Sequence, residues 1–408
     1  MRIAYISYEM PPISGNGGIG TYIAQISRIM ADRGHDVHVF CGVESNPGSE
    51  KIEKVTVHRV LGSRSQFGEN VLSVFSDINQ QSPFDLIESQ EYKAEGYYVR
   101  IKYPKIPHIV KCHTPSFIVG RLNNKRDNWL NRIRYIIMGL VRFKLVKPYW
   151  TYYYLDDIEY QYAKSASIIT SPSQSMAEWL EKEWHFKTGE IKVIHNPFHP
   201  QDAFLNLKPA QSVRPFKILF LGRLEVRKGI LNLINAIPKV VKKYPDTIFI
   251  FAGEPLPSPD KSVLMDEFIK NRLLGFKNNL IFTGNLSYNQ IPPVIEQSSI
   301  CVFPSLWENF PNVCLEAMSA GRAVIGSSSG GMTEMITHQI NGLLIEPNNS
   351  DQIADSIIEL ISDPSKIEEF GKRARQSVIN KFNRTLVGHR TEEIYVEAIG
   401  KQKSDSQL

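Results

Sequence analysis

Short apolar strands alternate with amphipathic helical stretches along nearly the whole of this 408-residue chain, and the alternation runs twice. The pattern leaves few folds open. A strand that is apolar throughout must be covered on both faces, and helices returning between parallel strands provide that cover. In the first half strands are expected near 2–8, 37–41, 55–60, 84–88, 107–112, 167–170 and 191–194, with helices at 18–33, 67–81 and 173–184 among them. The second half reads as strands near 217–221, 247–252, 279–282, 299–303, 323–326 and 342–345. Its helices fall near 229–243, 262–274, 288–297, 312–320 and 351–362. Helical patterns at 365–381 and 383–399 close the chain.

The joint lies between Asn196 and Lys217, where Pro197, Pro200, Pro209 and Pro215 interrupt any apolar periodicity. The expected division is a first domain over 1–198, a linker over 199–215, a second domain over 216–382, and a polar tail at 401–408. Each domain is long enough to bury its own core. Open parallel sheets carry their ligand crevice at the carboxyl ends of the strands. If the two edges face each other, motifs from both halves converge on one ligand.

Composition excludes several classes. A hydrophobic share of 42% with 22% charge is globular rather than disordered, and a net charge of +5 is too small to require nucleic acid. Cys41, Cys112, Cys301 and Cys314 form no CxxC pair and are expected to be free thiols. The N-terminus opens on a strand, and no apolar run approaches the ~18 residues of a membrane span, so a cytoplasmic location is expected.

Three loops carry candidate chemistry. Gly15-Asn16-Gly17-Gly18-Ile19-Gly20 contains a literal GxGxxG, but Glu9 to Ser14 separate it from the strand, and Phe40, Cys41 and Gly42 stand where a dinucleotide site needs an acid. It reads instead as exposed amides at a helix start, suited to an anion or a close ligand, or simply as a turn. Gly222-Arg223-Leu224-Glu225-Val226-Arg227-Lys228-Gly229 follows a strand directly. Arg223 and Lys228 there point to a diphosphate, and Arg227 is expected to be the solvated member. Pro304 to Met318 follows another strand and places Glu308 on a loop and Glu316 early in a helix that starts near Pro311. A loop carboxylate can bind sugar hydroxyls and a helix carboxylate can take two ribose hydroxyls, although acids are common at helix starts in any case.

Together these pieces resemble the family-four retaining glycosyltransferases of the GT-B fold. The most specific elements are Glu308 and Glu316, and Gly222-Arg223-Leu224 with Lys228-Gly229. Gly17-Gly18-Ile19-Gly20-Thr21, His113, Ile194-His195-Asn196-Pro197, Gly330-Gly331-Met332-Thr333-Glu334 and Asn341-Gly342-Leu343 add support. The resemblance implies an α/β fold of two Rossmann-like domains with parallel sheets facing across a cleft, and a last helix, 383–400, that packs back on the first domain. It implies that Arg223 and Lys228 hold a donor diphosphate, that Glu316 binds the ribose, and that Glu308 with the backbone of Asn309, Phe310, Pro311, Asn312 and Val313 holds the donor sugar and phosphates. Gly17 and Gly18 approach the diphosphate or the acceptor, Gly222 stands with them among the donor-binding residues, and His113 contacts the transferred sugar. The co-substrate implied is a UDP- or GDP-sugar, with no metal and no other cofactor. Asn309 stands where many relatives carry glycine, and Pro311 precedes Asn312, which leaves the donor sugar open. Asp156-Asp157 is not a metal motif by position.

Residues 121–147 hold eight basic side chains and one acid, Asp127, a net +7 that leaves −2 for the rest of the chain. Trp129, Ile133, Ile136, Ile137, Leu140 and Phe143 form a helical stripe with Arg132, Arg134 and Arg142 off it. One reading is an interfacial helix for anionic lipid at the inner face of the plasma membrane, which would suggest a lipid-linked glycan or glycolipid as acceptor; the other is a domain helix with its stripe in the core and its arginines facing water, and a glycan or small-molecule acceptor stays open. A non-catalytic nucleotide-sugar-binding or membrane-adaptor protein, an epimerase or a phosphorylase of the same fold are rival functions.

Overall fold

The computed structural model describes residues 1–15, 17–123, 129–141, 148, 150–198, 202–208 and 214–405. The first sheet contains β1 (Arg2–Ile6), β2 (Asp36–Val43), β3 (Gly48–Ile52), β4 (Val55–Leu61), β5 (Leu86–Gln90), β6 (His108–Lys111), β7 (Ile168–Ser171) and β8 (Lys192–Val193). Their order is β3-β4-β2-β1-β5-β6-β7-β8. All neighbours are parallel except β3, which pairs antiparallel with β4 as an edge hairpin. That strand was not expected, because its sequence Gly-Ser-Glu-Lys-Ile is polar and exposed.

The second sheet contains β9 (Lys217–Leu221), β10 (Ile248–Ala252), β11 (Leu280–Gly284), β12 (Ile300–Phe303), β13 (Ala323–Ser327) and β14 (Leu343–Ile345), in the order β11-β10-β9-β12-β13-β14 and wholly parallel. Strand order reverses at β1/β5 in one sheet and at β9/β12 in the other. The loops that leave those strands therefore diverge and open a crevice. Three of the expected motifs, the glycine loop after β1, the basic loop after β9 and the glutamate loop after β12, leave these switch points.

The physical cause of the layering is plain in β1, where Ile3, Ala4, Tyr5 and Ile6 are all fully buried. Successive side chains point to opposite faces, so both faces need cover. One face of the first sheet packs with Ile23, Ile26 and Met30 of the Gly18–Asp32 helix, and the other with Phe67, Val71 and Phe75 of the Arg64–Gln81 helix. The last helix, Arg384–Asp405, returns to the first domain as expected. Tyr395 is buried there, donating to Glu88 Oε2 at 2.7 Å, while Tyr22 donates to Glu88 Oε1 at 2.6 Å.

Two boundaries differ from expectation. The final helix runs on to Asp405, so residues 401–405 extend it and only 406–408 lie outside the described residues. Within the expected linker, Asp202–Leu205 is a short helix whose Phe204 is fully buried in the second core; one anchoring ring leaves no periodicity to read. Asp156 ends a 3-10 turn and Asp157 caps the Ile158–Lys164 helix, its Oδ1 accepting from Glu159 N at 2.8 Å. All four cysteines are buried free thiols.

Candidate active site

The two crevices face each other and merge. A larger cavity of about 960 Å³ and a smaller one of about 430 Å³ share Gly17, Gly18, Arg223, Arg227, Glu308, Phe310 and Asn312. The larger adds Gly222, Lys228, Pro311, Val313 and Glu316, and the smaller adds His113 and Asn309. Every residue expected at the site therefore lines one joined cleft.

The basic loop is shaped by Gly229, which closes the 3-10 turn Val226–Lys228 at φ +73°. A Cβ on it would lie 1.8 Å from the Pro304 carbonyl oxygen, so only glycine lets the β9 loop touch the β12 loop. Leu306 N donates to Arg227 O at 2.9 Å across the same contact. This brings Lys228 Nζ to 2.5 Å and Arg227 Nη1 to 2.9 Å from Glu308 Oε1. Burial alone would raise the Glu308 pKa, but the two cations outweigh it and hold the carboxyl below its ordinary value.

Arg227 is thus not the solvated member. Its side chain is 17% exposed and also pairs with Glu225 Oε1 at 3.0 Å, whereas Arg223 is 53% exposed and reaches Glu225 Oε1 at 3.1 Å. The reversal comes from the 3-10 turn, which turns residue 227 inward beside 228; the alternation of an extended loop would not. Arg223 lines both cavities, half-exposed, with its guanidinium paired to Glu225.

The start of the Asn312–Ser319 helix lines the larger cavity through Asn312 and Val313, with Pro311 as the residue before its first turn. One turn on, Glu316 is buried, and its Oε2 has no hydrogen-bond partner. Burial raises its pKa to about 7. A buried carboxylate oxygen without a donor is costly, and the residue that carries it lines the larger cavity.

The glycine loop is held from beneath by Glu9, whose Oε2 accepts from Gly20 N at 3.2 Å. A Cβ on Gly17 would lie 2.7 Å from that oxygen, while one on Gly18 would meet nothing within 4 Å and project into the cleft. On the same side, burial pushes the His113 imidazole down to about 3, so it is neutral. Its Nε2 has no partner.

Glu9, Arg64 and Tyr92 also wall the smaller cavity and belong to no motif. Arg64 Nη1 donates to Glu9 Oε1 at 2.6 Å and Nε to Glu95 Oε1 at 2.9 Å, and its guanidinium lies 4.8 Å from the Tyr92 ring centre. The only signal available was their place just beyond strand ends. Among the described residues no three His, Cys, Asp or Glu side chains gather as metal ligands, and no helix is long and apolar enough to cross a membrane.

Two Rossmann-like domains whose strand ends face across one cleft, with cations and carboxylates from separate loops meeting in it, define the GT-B class. The Glycosyltransferase Family 4 pattern matches residues 16–202, and that of the Glycosyl transferases group 1 matches residues 206–377. Spore coat protein SA of Bacillus subtilis is 30% identical over 415 residues, covering 97% of this chain and 99% of that protein. An uncharacterized glycosyltransferase of Methanocaldococcus jannaschii is 24% identical, covering 97% and 98% of the two chains. Among solved structures, sucrose-phosphate synthase of Thermosynechococcus elongatus superposes with a TM-score of 0.73 at 21% identity, covering 98% and 99%. The Anabaena protein HepE in complex with UDP-glucose superposes with a TM-score of 0.69 at 18% identity, covering 97% and 100%. The chain belongs to the family-four glycosyltransferases of the GT-B fold.

Proposed function

We propose that this glycosyltransferase moves a hexose-type sugar from a nucleoside-diphosphate sugar, UDP- or GDP-linked, to an acceptor hydroxyl, with retention of configuration and without a metal or other cofactor. The observation that carries the reading is Glu316: a buried, unpartnered carboxylate oxygen on the wall of the cavity that also holds Lys228, Arg223 and Glu308. It suits the two hydroxyls of a ribose, with the diphosphate between Arg223, Lys228 and the amides at the start of the Asn312–Ser319 helix. HepE, of the same fold, was captured with UDP-glucose.

In this reaction the bond between the anomeric carbon and the terminal phosphate oxygen breaks, and negative charge grows on that phosphate. Arg223, Lys228 and the helix amides meet that charge. The acceptor oxygen bonds to the anomeric carbon from the same face and passes its proton to the departing phosphate, so no side chain serves as base. Glu308, held ionised by Lys228 and Arg227, accepts from the sugar's hydroxyls, and neutral His113 offers Nε2 to the transferred sugar. A thermal-shift screen against UDP-, GDP- and ADP-sugars, followed by assay of released nucleoside diphosphate, tests the reading. Stabilisation without any release would favour a non-catalytic binding protein instead.

For the acceptor, the reading is a lipid-linked glycan or glycolipid at the inner face of the plasma membrane. The support is the Trp129–Val141 helix, on which Trp129 is 65% and Val141 71% exposed, with Ile133, Ile136, Ile137 and Met138 also exposed. That is not a stripe packed into a core. Arg132 and Arg134 are exposed beside it. The side chain of Leu140, and residues Arg142 and Phe143, lie outside the described residues. Co-sedimentation with vesicles containing anionic lipid at low salt tests this. Binding lost in Ile137→Glu is expected, and no binding by the wild type overturns it.

A further inference from the structure

We propose, resting on the reading above, that Asn309 is a positioning residue that bolts the donor-side loop to the first domain at His113 and Ser173. Asn309 belongs to the β12 loop of the second domain. Its Nδ2 donates to the His113 carbonyl oxygen, and its Oδ1 accepts from Ser173 Oγ at 2.7 Å. Both partners belong to the first domain: His113 follows β6, and Ser173 caps the Gln174–Glu183 helix. A carbonyl oxygen can only accept, so the amide must face His113 with its nitrogen, and the other end is then fixed toward Ser173. The side chain is buried and both ends are committed to the neighbouring domain.

The loop is fixed from behind as well. Gly331 N donates to the Glu308 carbonyl at 2.8 Å, and a Cβ on Gly331 would lie 1.8 Å from the Asn309 carbonyl oxygen. The second domain therefore sets the loop's position, and Asn309 carries that position across the cleft to His113. On one chain segment, Glu308 holds Lys228 and Arg227 while Asn309 holds the backbone of the residue that faces the transferred sugar. Two further contacts close over the same seam. Trp307 meets Trp179 edge-on at 4.9 Å between ring centres, and Glu334 Oε1 accepts from Gln174 N at 2.8 Å. A glycine at 309 could form neither side-chain bond, so this chain has a connection between its half-sites that such relatives must make differently or do without.

The test compares the full-length wild type with Asn309→Ala, Asn309→Asp and Ser173→Ala. Aspartate keeps the shape and the Ser173 bond but turns an oxygen on the His113 carbonyl, so it should behave like alanine rather than rescue. The expected kcat for nucleoside diphosphate release from the best nucleotide sugar falls about 10- to 100-fold in both Asn309 variants, because misplacement of the catalytic groups by about 1 Å costs on that order. The donor KM changes much less than kcat, since Arg223, Lys228, Glu308 and Glu316, which carry most of the proposed donor contacts, all lie in the second domain. Ser173→Ala shows a smaller fall, and adding it to Asn309→Ala changes little. Without any substrate, small-angle scattering should show a larger radius of gyration for Asn309→Ala, and tryptophan emission should shift red as the Trp179–Trp307 seam is wetted. A raised donor KM with unchanged kcat would make Asn309 a donor ligand and overturn the proposal. Unchanged scattering and emission in both Asn309 variants would also overturn it. The two substrate-free measurements decide the bolt even if no nucleotide sugar is turned over, which separates its failure from that of the proposed activity.

Discussion

Replacing Glu316 by glutamine should strengthen the ligand-free protein and weaken the donor complex. The carboxyl is raised from an ordinary 4.5 to about 7 by burial. A group with a raised folded pKa favours folding below its unfolded value and loses that contribution as pH climbs through the folded one. At pH 8 the ionised, unpartnered carboxylate therefore costs the empty protein about 3 kcal/mol, and at pH 5 less than about 1 kcal/mol. Glutamine cannot ionise, so Glu316→Gln should unfold about 6–12 °C higher than wild type at pH 8 and only slightly higher at pH 5. Binding should move the other way. Two hydroxyls donating to a carboxylate each contribute about 1.5–3 kcal/mol, and an amide replaces these with weaker or mismatched bonds, so affinity should drop about 10- to 100-fold. The hydroxyls favour the ionised form, so wild-type binding should release a proton and tighten as pH rises through about 7. A nucleotide sugar has no group of its own titrating there. Calorimetry of the best-binding nucleotide sugar, in two buffers of different ionisation heat, reads the proton directly. A variant that melts no higher than wild type at pH 8, or that binds equally well with the same proton release, refutes the role assigned to this carboxylate.

Lys228→Ala should reduce the rate of nucleoside diphosphate release by about 10²–10³, with Arg223→Ala similar, if both meet the charge on the leaving phosphate as proposed; steady-state turnover near wild type in both would remove them from the mechanism. Gly18→Ala should fold as wild type by circular dichroism and melting, because nothing lies within 4 Å of the added carbon, yet bind donor more weakly. Gly229→Ala should instead be strongly destabilised, having both φ +73° and a backbone oxygen 1.8 Å away. The buried ring of His58, stacked on Phe40 and in contact with His38 Nδ1 at 2.9 Å, is pushed down to about 4 by desolvation and by His38. Its lowered pKa means its contribution is complete above about 6.5 and is lost as pH falls toward 4, worth up to about 3 kcal/mol. Urea midpoints of wild type and His58→Gln should therefore converge between pH 7 and pH 4.5, and a constant gap would refute the assignment.

The doubled architecture was legible because it rests on local physics. Runs such as Ile218 to Leu221 and Ile300 to Phe303 are apolar on both faces, so each demanded a covered parallel strand, and glycines and prolines marked where strands gave way to loops. The same rule located the cleft lining in outline, because parallel sheets open their crevices beyond strand ends and the sequence shows which residues stand there: Gly17-Gly18, Arg223, Lys228, Glu308 and Glu316. The polar edge strand β3 escaped because its pairing, not its composition, makes it a strand.

What the sequence could not decide was which of those groups face each other. Arg227 and Arg223 exchange their expected environments because a 3-10 turn closed at Gly229 turns one inward, and that turn depends on contact with Pro304, 75 residues away. Glu9, Arg64 and Tyr92 come from separate strand ends and become one wall only when the sheet brings β1, β4 and β5 alongside. Asn309 reads as a departure in a sugar-binding loop, yet its amide is spent on the other domain. Strand and helix formation depend on neighbours in the chain, so residue order alone reveals them. Charge pairing, desolvation and contact across the cleft depend on distance in space, and only the folded pair of domains sets that.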